Sequence, residues 1–421
     1  MTPSDPLYYL LSMDAAALLA AFSFSIILDL PRYTFGFLAV LLVELGSRRR
    51  GKGAVRLPTV SIIIAGHNEA ASIRRCVISL REQTVRDLEI ICVDDGSTDG
   101  MADELYRLRA ENLIDVALVC RVRCGKSSAC NLALSRARGE AVVNVDVDCT
   151  FDRDAIENIV CPLANPEVGA VCGNIAVRNA GASFIARMQV VEYVIGISLG
   201  KRALDFFNVV ACASGAFSAF RRVALEGVGG MDVGPGEDLD LTLRLRQAGW
   251  RIRFAHNAWC LTDVPATVPA FVRQRLRWER DALRIRLRKH RRILDPRDRG
   301  ATATDLVHQF DYIVTNLLVT LVFPVYLGWL LVTYGDAAWM ILGSVTLGYV
   351  VLDLISFLAA LVVVDRPGLG RALPYALLFG AFNAYFVRAI RLVAYAQEWI
   401  FRRSFHDAYV PARVRKQAPL Y

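Results

Sequence analysis

Apolar residues follow two different periods in the first 260 residues of the chain. Strand-like apolar runs span Val60 to Ile64, Leu88 to Val93, Val116 to Val119 and Ala141 to Val145. Helical spacing of apolar residues lies between them, over Ala70 to Arg81, over Thr98 to Arg109 and from about Ser127. Almost continuous apolar runs are typical of strands buried on both faces of a parallel sheet. The pattern therefore predicts an α/β domain with a mostly parallel sheet, from Leu57 to about Trp259.

Long apolar segments lie on both sides of this domain. The first runs from about Leu7 to Leu45 with a polar break at Asp29 to Arg32, and it predicts an anchor rather than a cleaved signal. It admits one crossing, or one crossing with an interfacial helix. Three more segments follow, at about Tyr312 to Tyr334, Ala337 to Val364 and Leu373 to Ala396. Asp353 and a stripe from Arg388 to Arg402 are polar groups at membrane depth.

The distribution of charge predicts the orientation in the membrane. A basic cluster at Arg48 to Arg50 follows the first apolar region, which places the N-terminus outside and the α/β domain in the cytoplasm. Three further crossings would leave the basic tail after Arg402 outside, against the same rule. We therefore favour a short or interfacial third segment.

Composition agrees with a soluble domain joined to membrane helices. The 421 residues are 54% hydrophobic and 21% charged, with a mean hydropathy of +0.36 and a net charge of +8. The basic residues crowd beside apolar segments and form no stripe interleaved with aromatic residues, so nucleic acid is not an expected partner. All ten cysteines lie between Cys76 and Cys260, which indicates scattered reduced thiols.

Acidic pairs follow two of the predicted strands and open one predicted helix. Asp94 and Asp95 end one strand, and Asp146 and Asp148 end another. Because ligands bind at the carboxyl ends of parallel strands, these pairs should meet at one edge of the sheet. Two carboxylates at i and i+2 suit Mg²⁺ or Mn²⁺. Glu237-Asp238 begins a helix, where a carboxylate can serve as general base, although acidic residues also favour a first turn without any catalytic role.

A basic amphipathic helix is predicted from about Ala270 to Arg292. It carries Gln274-Arg275-Leu276-Arg277-Trp278, in which Gln274, Arg277 and Trp278 fall at i, i+3 and i+4 on one face. Arginine suits a phosphate oxygen, and an indole offers a stacking surface for a sugar. We expect the helix to lie in the membrane surface, with its apolar residues towards lipid; these are Phe271, Leu276, Leu283 and Leu287.

Taken together, these motifs resemble the membrane-bound, processive family 2 glycosyltransferases, which include the cellulose, hyaluronan, chitin-oligosaccharide and poly-N-acetylglucosamine synthases. The similarity covers about Thr59 to Arg280 and includes Val168 to Asn174 and Ser214 to Phe217. It implies a cytoplasmic GT-A domain with a Rossmann-like sheet at residues 51–266, after an N-terminal anchor at 1–50. Interfacial helices at 267–300, a transmembrane region at 301–400 and a basic cytoplasmic tail at 401–421 would follow.

The resemblance also implies roles for individual residues. The nucleotide sugar would be held by Ala65, Asn68, Glu69, Asp95, Lys126 and Asp146, and the metal by Asp146 and Asp148. Asp238 would be the base, and the acceptor and diphosphate would meet Ser214, Gly215, Glu237, Gln274, Arg277 and Trp278. The implied cofactor is Mg²⁺ or Mn²⁺. The implied partners are a UDP-sugar, a growing polysaccharide and the bilayer of the inner membrane, and accessory export proteins fit the same picture.

The implied reaction is the transfer of glucose or N-acetylglucosamine from its UDP donor, with inversion, to a β-linked polymer that crosses the membrane. Two alternatives stay open. A non-processive enzyme would add one sugar to a lipid or polyprenyl-phosphate acceptor. A transporter or membrane scaffold would bind nucleotide in its cytoplasmic domain without catalysis. The polar residues in the apolar segments, Asp353 and the Arg388 stripe, motivate this second alternative. The motif of the cellulose synthase gate is not found in the chain, which leaves processivity open.

Overall fold

A computed structural model of the chain describes residues 8, 12–30, 56–232, 234–295, 303–407 and 410–417. The predicted piece Tyr33 to Leu45 and the Arg48 cluster lie outside the described residues. The described residues form an α/β domain with long apolar helices beside it.

One mixed sheet of eight strands forms the centre of the α/β domain. The strands are β1 (Val60–Gly66), β2 (Leu88–Asp95), β3 (Val116–Cys120), β4 (Ala141–Val145), β5 (Thr150–Phe151), β6 (Val168–Val177), β7 (Phe217–Arg221) and β8 (Arg251–Thr262). Their order is β3-β2-β1-β4-β7-β6-β8-β5. The first four are parallel, as predicted, whereas β7 pairs antiparallel with both β4 and β6.

The apolar runs reflect burial of the sheet on both faces. Ile62 and Ile64 on β1 pack into one core with Ile73, while Ile63 between them packs into the opposite core with Ala133. Since successive side chains point to opposite faces, a strand with a core on each side is apolar at nearly every position. This arrangement fixes β1 at the centre of the parallel half, between β2 and β4.

The helices of the α/β domain lie on both faces of the sheet. They are α2 (Ala70–Arg81), α3 (Met101–Ala110), α4 (Lys126–Leu134), α5 (Ala155–Val160), α6 (Phe184–Tyr193), α7 (Gly200–Phe206), α8 (Arg222–Gly227) and α9 (Glu237–Gln247), after an N-terminal α1 (Ala15–Asp29). The helix predicted from Thr98 begins only at Met101. Side chains hold the preceding turn instead, since Asp94 accepts from the Ser97 amide and Asp99 accepts from the Met101 amide.

Helix α10 (Val268–Arg284) carries the predicted amphipathic segment. Thr267 caps its first turn, which contains Pro269. The expectation that its apolar face meets lipid is wrong, because Phe271 and Leu283 are buried against a later helix of the chain. Leu276 and Leu287 pack beside them. An amphipathic pattern requires an apolar neighbour but does not distinguish lipid from protein.

In the part of the chain that the structure describes, three helices are long and apolar enough to cross a membrane. They are α11 (Thr304–Tyr334), α12 (Ala337–Val363) and α13 (Leu369–Phe401), and a short helix α14 (Ala412–Gln417) follows them. The third is not short, contrary to expectation: its 33 residues would extend about 50 Å as a helix. It contacts the α/β side near both ends, since Tyr375 bonds Arg187 and Glu398 bonds Arg288. Its length and composition would also suit a crossing, so the number of crossings stays a prediction.

Asp353 and the first part of the Arg388 stripe face protein, whereas Arg402 is exposed. Asp353 is 2% exposed. Arg388 pairs with Asp29 of α1 at 3.1 Å, and Tyr349 of α12 donates to the same carboxylate. Farther along α13, Arg391 pairs with Glu279 of α10 at 2.8 Å. The stripe therefore joins α13 to α1 and α10 instead of lining open lipid.

Candidate functional site

The ends of β1, β2 and β4 meet at one edge of the sheet, as the sequence predicts. Asp95 ends β2, and its two carboxylate oxygens accept from the backbone amides of Cys124 and Gly125, at 2.6 and 2.7 Å. Asn68, beyond β1, has a positive φ of 60° and accepts from the Thr98 amide at 2.8 Å. Asp95 thus fixes the loop that precedes Lys126.

Lys126 joins two of the acidic motifs. Its Nζ lies 2.6 Å from Asp146 Oδ1 and 3.2 Å from Glu237 Oε1. The same Nζ is 3.1 Å from the position that a Cβ on Gly215 would occupy. A glycine at position 215 therefore lets the backbone approach this amine closely. Lys126 and the backbone of Gly215 thus form one compact cluster with three carboxylates, those of Asp146, Glu237 and Asp238.

Asp238 lies in this cluster and is held by backbone amides. Gly215 N donates to Oδ2 at 3.1 Å, and Leu239 N donates to Oδ1 at 2.7 Å. Burial, and then the charge of Glu237, raise the pKa of Asp238 above its ordinary value, while Lys126 acts in the opposite direction. A carboxyl with a raised pKa is a stronger base than an exposed aspartate, which suits proton abstraction.

The segment before Gly215 has no regular structure, and side chains hold its backbone in place. We call residues 209–216 the acceptor loop. Three side chains donate to carbonyls of this loop at 2.7 to 2.8 Å. Arg246 donates to the carbonyl of Val210, Ser218 to that of Ser214 and Asn144 to that of Gly215. Thr242 accepts from the Ala213 amide at 2.9 Å. Backbone groups that neither helix nor sheet satisfies are thus paired with side chains.

Lys201 on α7 also holds this loop. Its Nζ donates to Ser214 Oγ at 2.6 Å, to Cys212 O at 3.2 Å and to Cys172 Sγ at 3.0 Å. No periodic pattern in the sequence marks this lysine, because its partners lie on β6 and in an irregular segment far from it along the chain.

Asp148 is held by neighbours of β8. Thr262 donates to its Oδ2 at 3.1 Å, and Arg178 donates to its backbone carbonyl at 2.7 Å. Burial, and then the charge of Asp146, raise the pKa of Asp148. The two carboxylates thus repel each other, and of the pair Lys126 offsets the charge of Asp146 only. The pair therefore fits a divalent cation by donor type.

Protein side chains alone would not complete such a cation site. Within the described ranges, no group of three or more His, Cys, Asp or Glu side chains is placed to hold a metal ion. A cation at Asp146 and Asp148 would therefore take its remaining ligands from water or from substrate phosphate, as Mg²⁺ commonly does.

Helix α10 packs its C-terminal half on the loop before Asp238. Gly236 has a φ of 76°, and a Cβ there would lie 2.5 Å from Ile285 Cδ1. Arg284 donates to the carbonyl of Pro235. Glycine is thus required both for the backbone conformation and for the close contact. This contact brings the helix with the Gln274 motif against the acidic cluster.

A cavity of about 640 Å³ lies between α10 and the end of α13. Four arginines line it, together with Gln274 and Asp407; they are Arg273, Arg277, Arg280 and Arg403. Gln274 Oε1 is buried there without a hydrogen-bond partner among the residues that the structure describes. The predicted pair Gln274 and Arg277 is therefore brought together in a cationic cavity suited to phosphate oxygens.

Trp278 lies beside this cavity and stacks on a residue that had no predicted role. The guanidinium of Arg275 lies 4.4 Å from the Trp278 ring centroid and 4.9 Å from that of Phe271, and it pairs with Glu192 at 2.7 Å. Arg275 is 7% exposed, whereas Trp278 is 40% exposed. The indole is thus oriented from behind by a buried cation, with a face available to a sugar.

We call residues 403–407 and 410–417 the C-terminal segment. This segment returns to the edge of the sheet near Lys126. Asp407 pairs with Arg280 at 3.3 Å. Pro411 Cδ lies 3.4 Å from where a Cβ on Gly125 would be, and Val410 and Val414 line a narrow gap with Lys126. The segment therefore covers the loop that Asp95 holds. Sequence reasoning predicted only a basic tail here.

Comparisons with known proteins show what the α/β domain is similar to. Residues 61–229 match Glycosyl transferase family 2. The chain is 31% identical over 242 residues to an N-acetylglucosaminyltransferase of Rhizobium meliloti, which covers 54% of this chain and 56% of that protein. It is 30% identical over 232 residues to a poly-beta-1,6-N-acetyl-D-glucosamine synthase of Staphylococcus epidermidis, with the same coverage. The chain thus spans about half the length of these curated relatives.

The fold agrees with a solved glycosyltransferase over most of the chain. The mannosyltransferase PcManGT of Pyrobaculum calidifontis, solved with GDP-Man and Mn²⁺, aligns with a TM-score of 0.59 and 21% identity. The alignment covers 86% of this chain and 98% of that one. The predicted GT-A fold is therefore confirmed, and the family match over residues 61–229 agrees with the predicted glycosyltransferase domain.

Proposed function

We propose that this chain, which carries a family 2 glycosyltransferase domain, is a membrane-embedded inverting enzyme that extends a β-linked polysaccharide from a UDP-sugar. The observation that carries the proposal is the cluster in which Lys126 joins Asp146 to Glu237 beside the buried Asp238. Similarity to two N-acetylglucosamine-transferring proteins favours UDP-N-acetylglucosamine over UDP-glucose as donor.

Asp238 is the proposed general base. Its carboxylate would take the proton of an acceptor hydroxyl as that oxygen attacks the anomeric carbon and the bond to the diphosphate breaks. Inversion of an α-linked donor gives a β-linked product. General-base help is typically worth about 10²–10⁴-fold in rate. The raised pKa of Asp238 supports this role, since the base must accept a proton readily.

Cationic side chains would bind and stabilise the leaving diphosphate. Lys126 lies on the acidic side of the site, and Arg277 lies in the cavity between α10 and α13. A divalent cation held by Asp146 and Asp148 would supply further positive charge to the phosphate oxygens when bound. Asp95, Ala65, Asn68 and Glu69 would hold the nucleotide, because they stand at the ends of β1 and β2 that face this cluster.

The acceptor end of the polymer would stack on the exposed face of Trp278, next to Ser214 and Gly215. Helix α10 is joined to α13 by the Glu279–Arg391 pair at 2.8 Å, and the turn after α10 by the Arg288–Glu398 pair at 2.7 Å. This attachment supports coupling of synthesis to passage of the polymer across the inner membrane, with the α/β domain in the cytoplasm. The basic C-terminal segment, which contacts Gly125, would then be cytoplasmic as well.

The experiment is a donor screen followed by product sizing. Purified protein in nanodiscs is incubated with Mg²⁺ or Mn²⁺ and each of several UDP-sugars, and UDP release is measured. Radiolabelled donor then reports the product. Polymer from UDP-N-acetylglucosamine supports the proposal. A product with a single sugar on a lipid would contradict polymer synthesis, and nucleotide binding without turnover would contradict the enzymatic role.

A further inference from the structure

The amine of Lys201 is matched to three acceptors inside the protein. An ammonium group has three N–H donors, and here they meet Ser214 Oγ, Cys212 O and Cys172 Sγ. Ser214 and Cys212 belong to the acceptor loop, and Cys172 lies on β6. The lysine thus ties an irregular segment to the sheet and to α7 at once.

The charge of this amine is maintained by its surroundings. Burial alone would lower the pKa of Lys201, but Cys172, Cys212 and the charge of Asp238 outweigh it and raise the pKa. The group therefore remains a donor of three hydrogen bonds at neutral pH. Such charge-assisted bonds are roughly twice as strong as neutral ones.

The hydrogen bonds lead directly from Lys201 to the base. Ser214 precedes Gly215, and the Gly215 amide donates to Asp238 Oδ2 at 3.1 Å. A shift of Ser214 would therefore move a group that orients the carboxylate. In reactions that depend on alignment, a displacement of about 1 Å can cost about 10²-fold in rate.

The neighbours of Lys201 contact the membrane helices. Leu199 and Ala203 pack in one cluster with Phe357 of α12 and Ala376 of α13. Arg202 donates to the carbonyl of Val363 at 3.1 Å. Residues next to Lys201 thus contact the membrane helices, while Lys201 itself contacts the acceptor loop.

We propose that Lys201 is a positioning residue that fixes the acceptor loop, and through Gly215 the base Asp238, relative to α7 and β6. The inference rests on the proposed function for its effect on turnover, but its structural half does not. Lys201 touches neither donor nor acceptor in this role. It acts through Ser214 and Cys212.

The test compares Lys201→Met with Arg202→Met in the full chain in nanodiscs. Methionine keeps the length of the side chain and removes its donors. Hydrogen exchange followed by mass spectrometry should show faster exchange in peptides covering residues 209–216 for Lys201→Met, with the β1 and β4 peptides unchanged. Arg202→Met, which alters a similar cation on the same helix turn, should leave the loop peptides as they are.

Kinetics supply the second readout. Lys201→Met should lower kcat by about 10–100-fold while the KM for the donor stays within about twofold. Ser214→Ala should reproduce part of this loss, and the double variant should lose less than the product of the two single effects, because both changes remove the same bond. Arg202→Met should keep turnover.

The two halves fail in different ways. Unchanged exchange in the acceptor loop would overturn the inference whether or not the wild-type protein makes polymer. Faster exchange with undiminished kcat would overturn it as well, since the loop position would then not matter to the base. Absence of turnover in wild-type protein with every donor would instead count against the proposed function, and the exchange result would still decide whether Lys201 holds the loop.

Discussion

Replacing Asp238 by Asn exchanges one carboxylate oxygen for an amide nitrogen at a site where the backbone presents two donors. In the wild-type protein, Gly215 N donates to one oxygen at 3.1 Å and Leu239 N to the other at 2.7 Å. An asparagine can accept from only one of them, because its NH₂ group is itself a donor. The substitution therefore removes the base and leaves one backbone amide unpaired.

The two consequences have different magnitudes. Loss of a general base should lower kcat by about 10²–10⁴-fold, which corresponds to about 3–6 kcal/mol of transition-state stabilisation at about 1.4 kcal/mol per tenfold. An unpaired buried donor costs about 1–3 kcal/mol of folding free energy. Removing a buried charge beside Glu237 acts in the opposite direction, so we expect a stability loss near the lower end of that range. Catalysis should therefore suffer far more than folding.

The assay measures UDP release, donor binding by calorimetry and the thermal midpoint on the same purified protein. Asp240→Asn is the matched control, because Asp240 is a buried carboxylate on the same helix that pairs with Arg244, Lys289 and His290 instead. That control should lose stability yet keep turnover per folded molecule. If Asp238→Asn retained more than about a tenth of wild-type turnover with donor binding intact, Asp238 would not be the base.

Three further predictions concern neighbouring residues. Lys126→Met should raise the donor KM at least tenfold and destabilise the cluster of Asp146 and Glu237, whose shared cation it removes; an unchanged KM would exclude contact of Lys126 with the donor. Arg275→Met removes the cation behind Trp278, so it should weaken acceptor binding and shorten the product while donor binding stays unchanged. Burial would raise the pKa of Asp240, but the hydrogen bond of its His290 partner and nearby cations outweigh burial and lower the pKa. The charged Asp240 therefore stabilises the fold above its unfolded pKa of about 3.9, and this stabilisation is lost as the pH falls below that value. The difference in thermal midpoint between wild type and Asp240→Asn should accordingly shrink on acidification below about pH 4.

The parallel half of the fold and its acidic edge were predictable because they follow from periodicity. Continuous apolar runs require two cores, and parallel strands place their ends at one edge, so Asp95 and Asp146 had to lie near each other. Helix α2 was predicted with its observed bounds for the same reason, since its apolar residues repeat at helical spacing between two strands.

Contacts between distant segments were not predictable in this way. Lys201 meets Ser214 through an irregular loop that no periodicity describes, and Arg275 gains its role only from a glutamate on another helix. The apolar face of α10 could equally have met lipid. Only the tertiary structure shows that Phe271 and Leu283 pack on α13.

The C-terminal segment has a consequence for how the protein is made. After Phe401 the chain turns at Arg402, which has a φ of 48°, and Pro411 comes back to the loop of Gly125. Ribosomes add about 5–20 residues per second, so the roughly 290 residues between these positions take about 15–60 s to synthesise. The last strand of the α/β domain ends at Thr262, so the loop of Gly125 stays uncovered while the membrane helices are made. Truncated translation products that end within the membrane helices would expose this loop, and they should be distinguishable from complete chains by protease cleavage next to Lys126.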